Sequence, residues 1–161
     1  MKLSHVDESG RARMVDVGDK PVSDRTAVAE GQVRMSREAY DLIAGEAVAK
    51  GDVLAVAEVA GTMAAKRTGE LIPLCHPLGL DLVQVEATLD EALPGVRITA
   101  TTRATGRTGV EMEALTAVAV GCLTVYDMVK AVDRGMTIEQ VRLLSKTGGT
   151  RGDWRREPTD P

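Results

Sequence analysis

The feature that most constrains this chain is a pair of alternating stretches on either side of Pro94-Gly95. Val83, Val85, Ala87 and Leu89 alternate with Gln84, Glu86, Thr88 and Asp90. Beyond the turn, Val96, Ile98, Ala100 and Thr102 alternate with Arg97, Thr99, Thr101 and Arg103. A period of two sends successive side chains to opposite faces, so each stretch is a strand with one apolar and one polar face. Joined by a turn dipeptide, the two form an antiparallel hairpin.

The flanking sequence supplies its partners. Ala29, Gly31, Val33 and Met35 alternate with Glu30, Gln32 and Arg34, a further strand with one wet face. Ser36 offers an N-cap, and Ala39, Leu42, Ile43 and Ala47 follow at helical spacing. Asp52 caps a second helix, whose packing positions are Val53, Val56, Ala57, Ala60 and Ala64. Pro73, Pro77 and Gly79 enforce a loop. A Gly-rich turn over 105–109 feeds the longest helix, expected over 111–134, with Leu115, Ala119, Cys122, Tyr126 and Val129 on its packing face. A last strand over 137–145 runs into Lys146-Thr147-Gly148-Gly149. The stretch before about Asp24 reads as a mobile arm or edge segment, and the end, with Trp154, as a tail. Strand, helix pair, strand, strand, helix, strand is the ferredoxin-like, split βαβ order: an α+β fold with an antiparallel sheet and helices packed on one face. A single domain over 1–161 is expected, with flexible ends about 1–12 and 150–161.

Composition excludes several classes. A net charge of −4 argues against a general polyanion binder. With no Phe, one Trp and two Tyr, a base-stacking RNA-binding sheet has no rings to work with. Cys75 and Cys122 are too few and too far apart for a disulfide scaffold or a cysteine-based zinc site. No apolar run approaches the ~20 residues of a membrane span, and Met1 to His5 lacks a signal-peptide core, so a cytoplasmic protein with no membrane contact is expected.

Four places put polar groups where a core or a plain surface would not need them. Lys50 precedes the Asp52-capped helix, where the positive end of the helix dipole disfavours a cation and lowers its pKa. A solvated turn lysine fits the same position. Cys75-His76 lies in the proline-bracketed loop; adjacent residues point apart, which argues against a catalytic Cys–His pair and leaves His76 as a phosphate ligand or proton donor, or a structural histidine. Glu111 and Glu113 open the long helix after the glycines, where backbone N–H groups cradle phosphate or acidic side chains simply suit the dipole. The Walker A spacing is absent. Asp127 and Lys130 share one face of the long helix, as many surface salt bridges do.

Together these stretches resemble a known family. Met14-Val15-Asp16-Val17, Lys50-Gly51-Asp52-Val53, Ala64 to Thr68, Leu71 to Leu78, Thr108 to Ala117, Tyr126 to Ala131 and Leu143 to Gly149 are similar to the cyclic pyranopterin monophosphate synthases of molybdenum cofactor biosynthesis. The resemblance runs from about Met14 to Asp153. It implies a lyase that rearranges 3′,8-cyclo-7,8-dihydroguanosine 5′-triphosphate to cyclic pyranopterin monophosphate and releases pyrophosphate. It also implies a homohexamer, a trimer of dimers, with the active site between subunits. By motif, the catalytic aspartate falls on Asp127, with Lys130 and Lys50 as functional lysines, and the substrate-binding segments fall on Leu74, Cys75, His76, Met112 and Glu113. Glu111 also matches a functional position. Departures are slight: Val129 stands where cysteine is common, and Thr147 and Thr150 replace frequent serines.

Such a substrate suits the residues. A triphosphate of about four negative charges needs several cations, which Lys50, His76, Arg107, Lys130 and Lys146 can supply as charge-assisted contacts. The rearrangement requires proton transfers and no redox step, within the range of Asp, Lys, His and Glu. No residue cluster calls for a metal, flavin or nicotinamide, so no cofactor is expected; Mg²⁺ accompanying the triphosphate is compatible but not required. A non-catalytic nucleotide-binding module predicts the same cations without needing Asp127 beside Lys130.

Overall fold

A computed structural model describes residues 4–45 and 52–157. The expected strands and helices are present in the expected order. Strands β1 (Ser23–Arg34), β2 (Leu82–Asp90), β3 (Gly95–Gly106) and β4 (Thr137–Thr147), with the short β5 (Trp154–Arg155), form one antiparallel sheet in the order β2-β3-β1-β4-β5. β2 and β3 pair from Leu82↔Arg103 to Asp90↔Gly95, the hairpin read from the alternation. β3 is inserted between β1 and β2, so the fold is the split βαβ arrangement.

Ser36 and Asp52 act as read. The Ser36 side chain accepts from the backbone N–H of Ala39 at the start of α1 (Arg37–Ala44), and that of Asp52 from Ala55 at the start of α2 (Val53–Lys66). α4 (Glu111–Val129) lies across β1, β3 and β4, and α2 packs between α4 and β2. The core they close is aliphatic, with Val33, Val96, Ile98, Val110, Val118 and Val125 fully buried. One short helix, α3 (Thr68–Leu71), is absent from the sequence reading; the Thr68 hydroxyl donates to the Ala64 and Ala65 carbonyls and turns the chain out of α2.

Several expectations are corrected. α4 ends at Val129 rather than at Arg134, because local polar groups take over: Tyr126 Oη donates to the Arg134 carbonyl at 2.9 Å, and Asp133 accepts from the Gly135 and Ser36 N–H groups. Its buried face is set by Ala114, Ala117, Val118, Gly121 and Val125, while Leu115, Ala119 and Tyr126 are only half-buried. Gly61 explains the shift. A Cβ there would sit 2.9 Å from the Ala117 carbonyl oxygen, so α2 and α4 meet backbone to backbone. On α2 this leaves Val56 exposed, contrary to the expected packing face.

The polar side of β1 is not simply wet. Gln32 is buried and donates to Glu139, and Glu30 is held by Arg142 at 2.9 Å and Arg97 at 3.7 Å. α4 is also long and apolar enough to cross a membrane by length and composition, which the sequence reading denied of any run. More than half of it is buried against α2 and the sheet, as befits a core helix. The expected tail contributes β5, whose Trp154 and Arg155 pair with Lys146 and Ser145.

Candidate active site

Three separated stretches converge on one cleft of about 350 Å³. The loop after α3 brings Leu74, Cys75 and His76; the Cys75 N–H donates to the Ile72 carbonyl and closes its turn. The β3–α4 turn brings Arg107, and the first turn of α4 brings Glu111, Met112 and Glu113. Thr102 Oγ1 donates to the Val110 carbonyl at 2.9 Å and ties the helix start to β3. The end of β4 contributes Lys146, whose Nζ lies 3.4 Å from a Glu111 carboxylate oxygen. All eight substrate-binding residues expected from the sequence therefore line one cavity.

Two of the three catalytic candidates, Asp127 and Lys130, do not join them. Asp127 and Lys130 sit at the opposite end of α4, exposed and paired at 2.6 Å. The helix is unbroken over its 19 residues, so Glu113 and Asp127 are separated by ~21 Å along its axis. Lys50 lies outside the described residues.

Burial shapes the cleft's chemistry. Glu113 is 4% exposed, and its Oε2 has no hydrogen-bond partner among the described residues. Desolvation pushes its pKa up and the Glu111 charge adds to the shift, against a backbone hydrogen bond that lowers it, so its acid form is stabilised relative to that of an ordinary glutamate. Burial, and then Glu113, push the Cys75 thiol up as well, which disfavours a thiolate. Cys122, enclosed in the core, is pushed up to about 12 by burial alone. Among the described residues no group of three or more His, Cys, Asp or Glu side chains is placed to hold a metal ion.

The sequence reading missed part of the cationic wall. Arg25, Lys20 and Arg151 also line the cleft. Arg25 is buried, and its Nε donates to the Gly106 carbonyl at 3.0 Å. Its signal was present in the alternation: Arg25, Ala27 and Ala29 occupy successive inward positions of β1, where a cation is out of place unless it faces a site. Gly148 and Gly149, at φ +83° and +84°, fold the chain back over it, and a Cβ on Gly149 would strike the Arg25 guanidinium. Lys20 and Arg151 lie in segments without regular pattern, and spacing could not mark them.

A ferredoxin-like sheet whose cleft gathers Lys, Arg and His around a buried carboxyl defines a protein for a small, multiply anionic ligand. The family model described as the MoaC family matches residues 14–149, and the chain belongs to that family. It is 60% identical over 153 residues to a cyclic pyranopterin monophosphate synthase of Brucella ovis, spanning 95% of this chain and 93% of the relative. It is 59% identical over 156 residues to one of Thermomicrobium roseum, spanning 97% and 94%.

Proposed function

We propose that this chain is a cyclic pyranopterin monophosphate synthase. It takes 3′,8-cyclo-7,8-dihydroguanosine 5′-triphosphate and forms cyclic pyranopterin monophosphate with release of pyrophosphate, in the cytoplasm. The observation that carries this reading is the convergence of Leu74–His76, Glu111–Glu113, Arg107 and Lys146 on one cation-walled cleft. Forming a cyclic monophosphate from a triphosphate requires a sugar-derived hydroxyl to attack the α-phosphorus while the bond to the bridging oxygen breaks. The hydroxyl proton must reach a base, and the charge gathering on pyrophosphate must be neutralised. Arg25, Arg107, Lys146 and His76 suit the second task. Glu113, held toward its acid form, suits donation of a hydrogen bond to the heterocycle.

The proton-moving pair, Asp127 and Lys130, is too distant to act within the same chain. The cleft is completed by the partner subunit's Asp127 and Lys130, with Lys50 as a third functional group, in a dimer that assembles further into a hexamer. An isologous dimer then holds two equivalent sites. The test is to supply the cyclised nucleotide and measure pyrophosphate. Release with turnover supports the synthase; tight binding without release would make the chain a nucleotide-binding module instead.

A further inference from the structure

The chain has only two histidines, His5 and His76, 71 residues apart in sequence, and both line the same cleft. His76 comes from a loop already assigned to the site. His5 comes from the N-terminal segment, whose sequence suggests a mobile arm or edge segment. In the structure that segment is a built hairpin. Val6 bridges Ala12, the Arg13 N–H donates to the His5 carbonyl at 3.0 Å, and Gly10 turns the tip at φ +82°. Asp7 fastens it: one carboxylate oxygen accepts from the Ser9 N–H, the Ser9 hydroxyl and the Arg11 N–H at 2.7 to 2.9 Å. These bonds hold Asp7's carboxyl below its usual range, with the Ser9 hydroxyl the largest cause.

All of those hydrogen bonds are internal to the hairpin, and its base, at Ser4 and His5, is what meets the cleft. The irregular chain leaving it adds Val15 and Val17 to the same wall before reaching Lys20. The His5 imidazole has no hydrogen-bond or ion-pair partner among the described residues. His5 is exposed, so its imidazole meets solvent at the edge of a cleft walled by Lys20, Arg25, Arg107 and Lys146, where a ligand's anionic oxygens can replace water.

We propose that His5 is a substrate-contacting residue that binds the phosphate chain, and that the Asp7-fastened hairpin exists to hold it there. The proposal rests on the reading of the cleft as a triphosphate site. Its test therefore uses a probe whose binding does not depend on turnover. Inorganic tripolyphosphate is titrated calorimetrically into the full-length protein and into His5→Ala, His5→Gln and Asp7→Ala, with thermal unfolding checking that each is folded.

Loss of one charge-assisted hydrogen bond predicts about tenfold weaker binding for His5→Ala. His5→Gln, which keeps a donor, recovers part of that affinity, and Asp7→Ala falls between. With the nucleotide substrate, His5→Ala raises KM more than it lowers kcat. Equal tripolyphosphate affinity in the wild type and a folded His5→Ala overturns the proposal, as does a wild type that binds none. A wild type that binds tripolyphosphate through His5 but releases no pyrophosphate from the nucleotide would sink the proposed reaction and leave His5 in place.

Discussion

Glu113 is the residue whose environment departs furthest from that of an ordinary surface carboxylate. Its acid form is favoured in the folded state by burial and by the Glu111 charge. The native chain therefore holds a proton here that the unfolded chain releases first as pH rises. Stability tied to this group is full below the ordinary glutamate value and is lost as pH climbs through the raised folded value. Thermal midpoints measured from pH 4.5 to 8 should fall more steeply in the wild type than in Glu113→Gln; parallel profiles would contradict the assignment. Asp127→Asn and Lys130→Ala are expected to cut turnover ~10²–10⁴-fold, the worth of a positioned general acid or base. Their thermal midpoints should barely move, since an exposed pair contributes only ~0.2–1 kcal/mol. Lys50→Ala is expected to behave likewise in turnover. Cys75→Ser should keep most activity, because a thiol raised by burial and by Glu113 makes a poor nucleophile; an inactive but folded variant would reinstate the thiol.

Elements were legible wherever one residue type has one physical use. Ser36 and Asp52 are helix caps because their short oxygen-bearing side chains reach the third residue's N–H, and both do. The β2–β3 hairpin followed from alternation about Pro94-Gly95. The packing face of α4 did not follow, because Ala, Val, Leu and Cys surround that helix and leave the period weak. What sets the face is Gly61 on another helix, a tertiary fact invisible in the α4 sequence. Gly61→Val should therefore cost ~1–3 kcal/mol by forcing α2 off α4, read as a lower urea midpoint; an unchanged midpoint would mean the helices part freely. Within the site, the loop and helix-start residues were legible as motifs, whereas Arg25 was hidden in a strand and needed the sheet to show where it points.

At the scale of the whole molecule, one unbroken helix separates the cleft from the pair proposed to move protons. α4 begins in the cleft at Glu111 and ends beside Lys130, and its residues 113 and 127 lie ~21 Å apart. No rotamer closes such a gap. A single substrate can meet both ends only if they come from different copies of the chain. Complementation between two inactive variants tests this most directly. Glu113→Ala and Asp127→Asn are mixed in equal amounts, subunit exchange is verified by mass, and pyrophosphate release is measured. In a site shared across an isologous dimer, half the dimers are mixed and each rebuilds one of its two sites, so about a quarter of wild-type activity returns. With exchange verified, activity no higher than that of either variant alone would place the whole site within one chain and contradict the shared cleft.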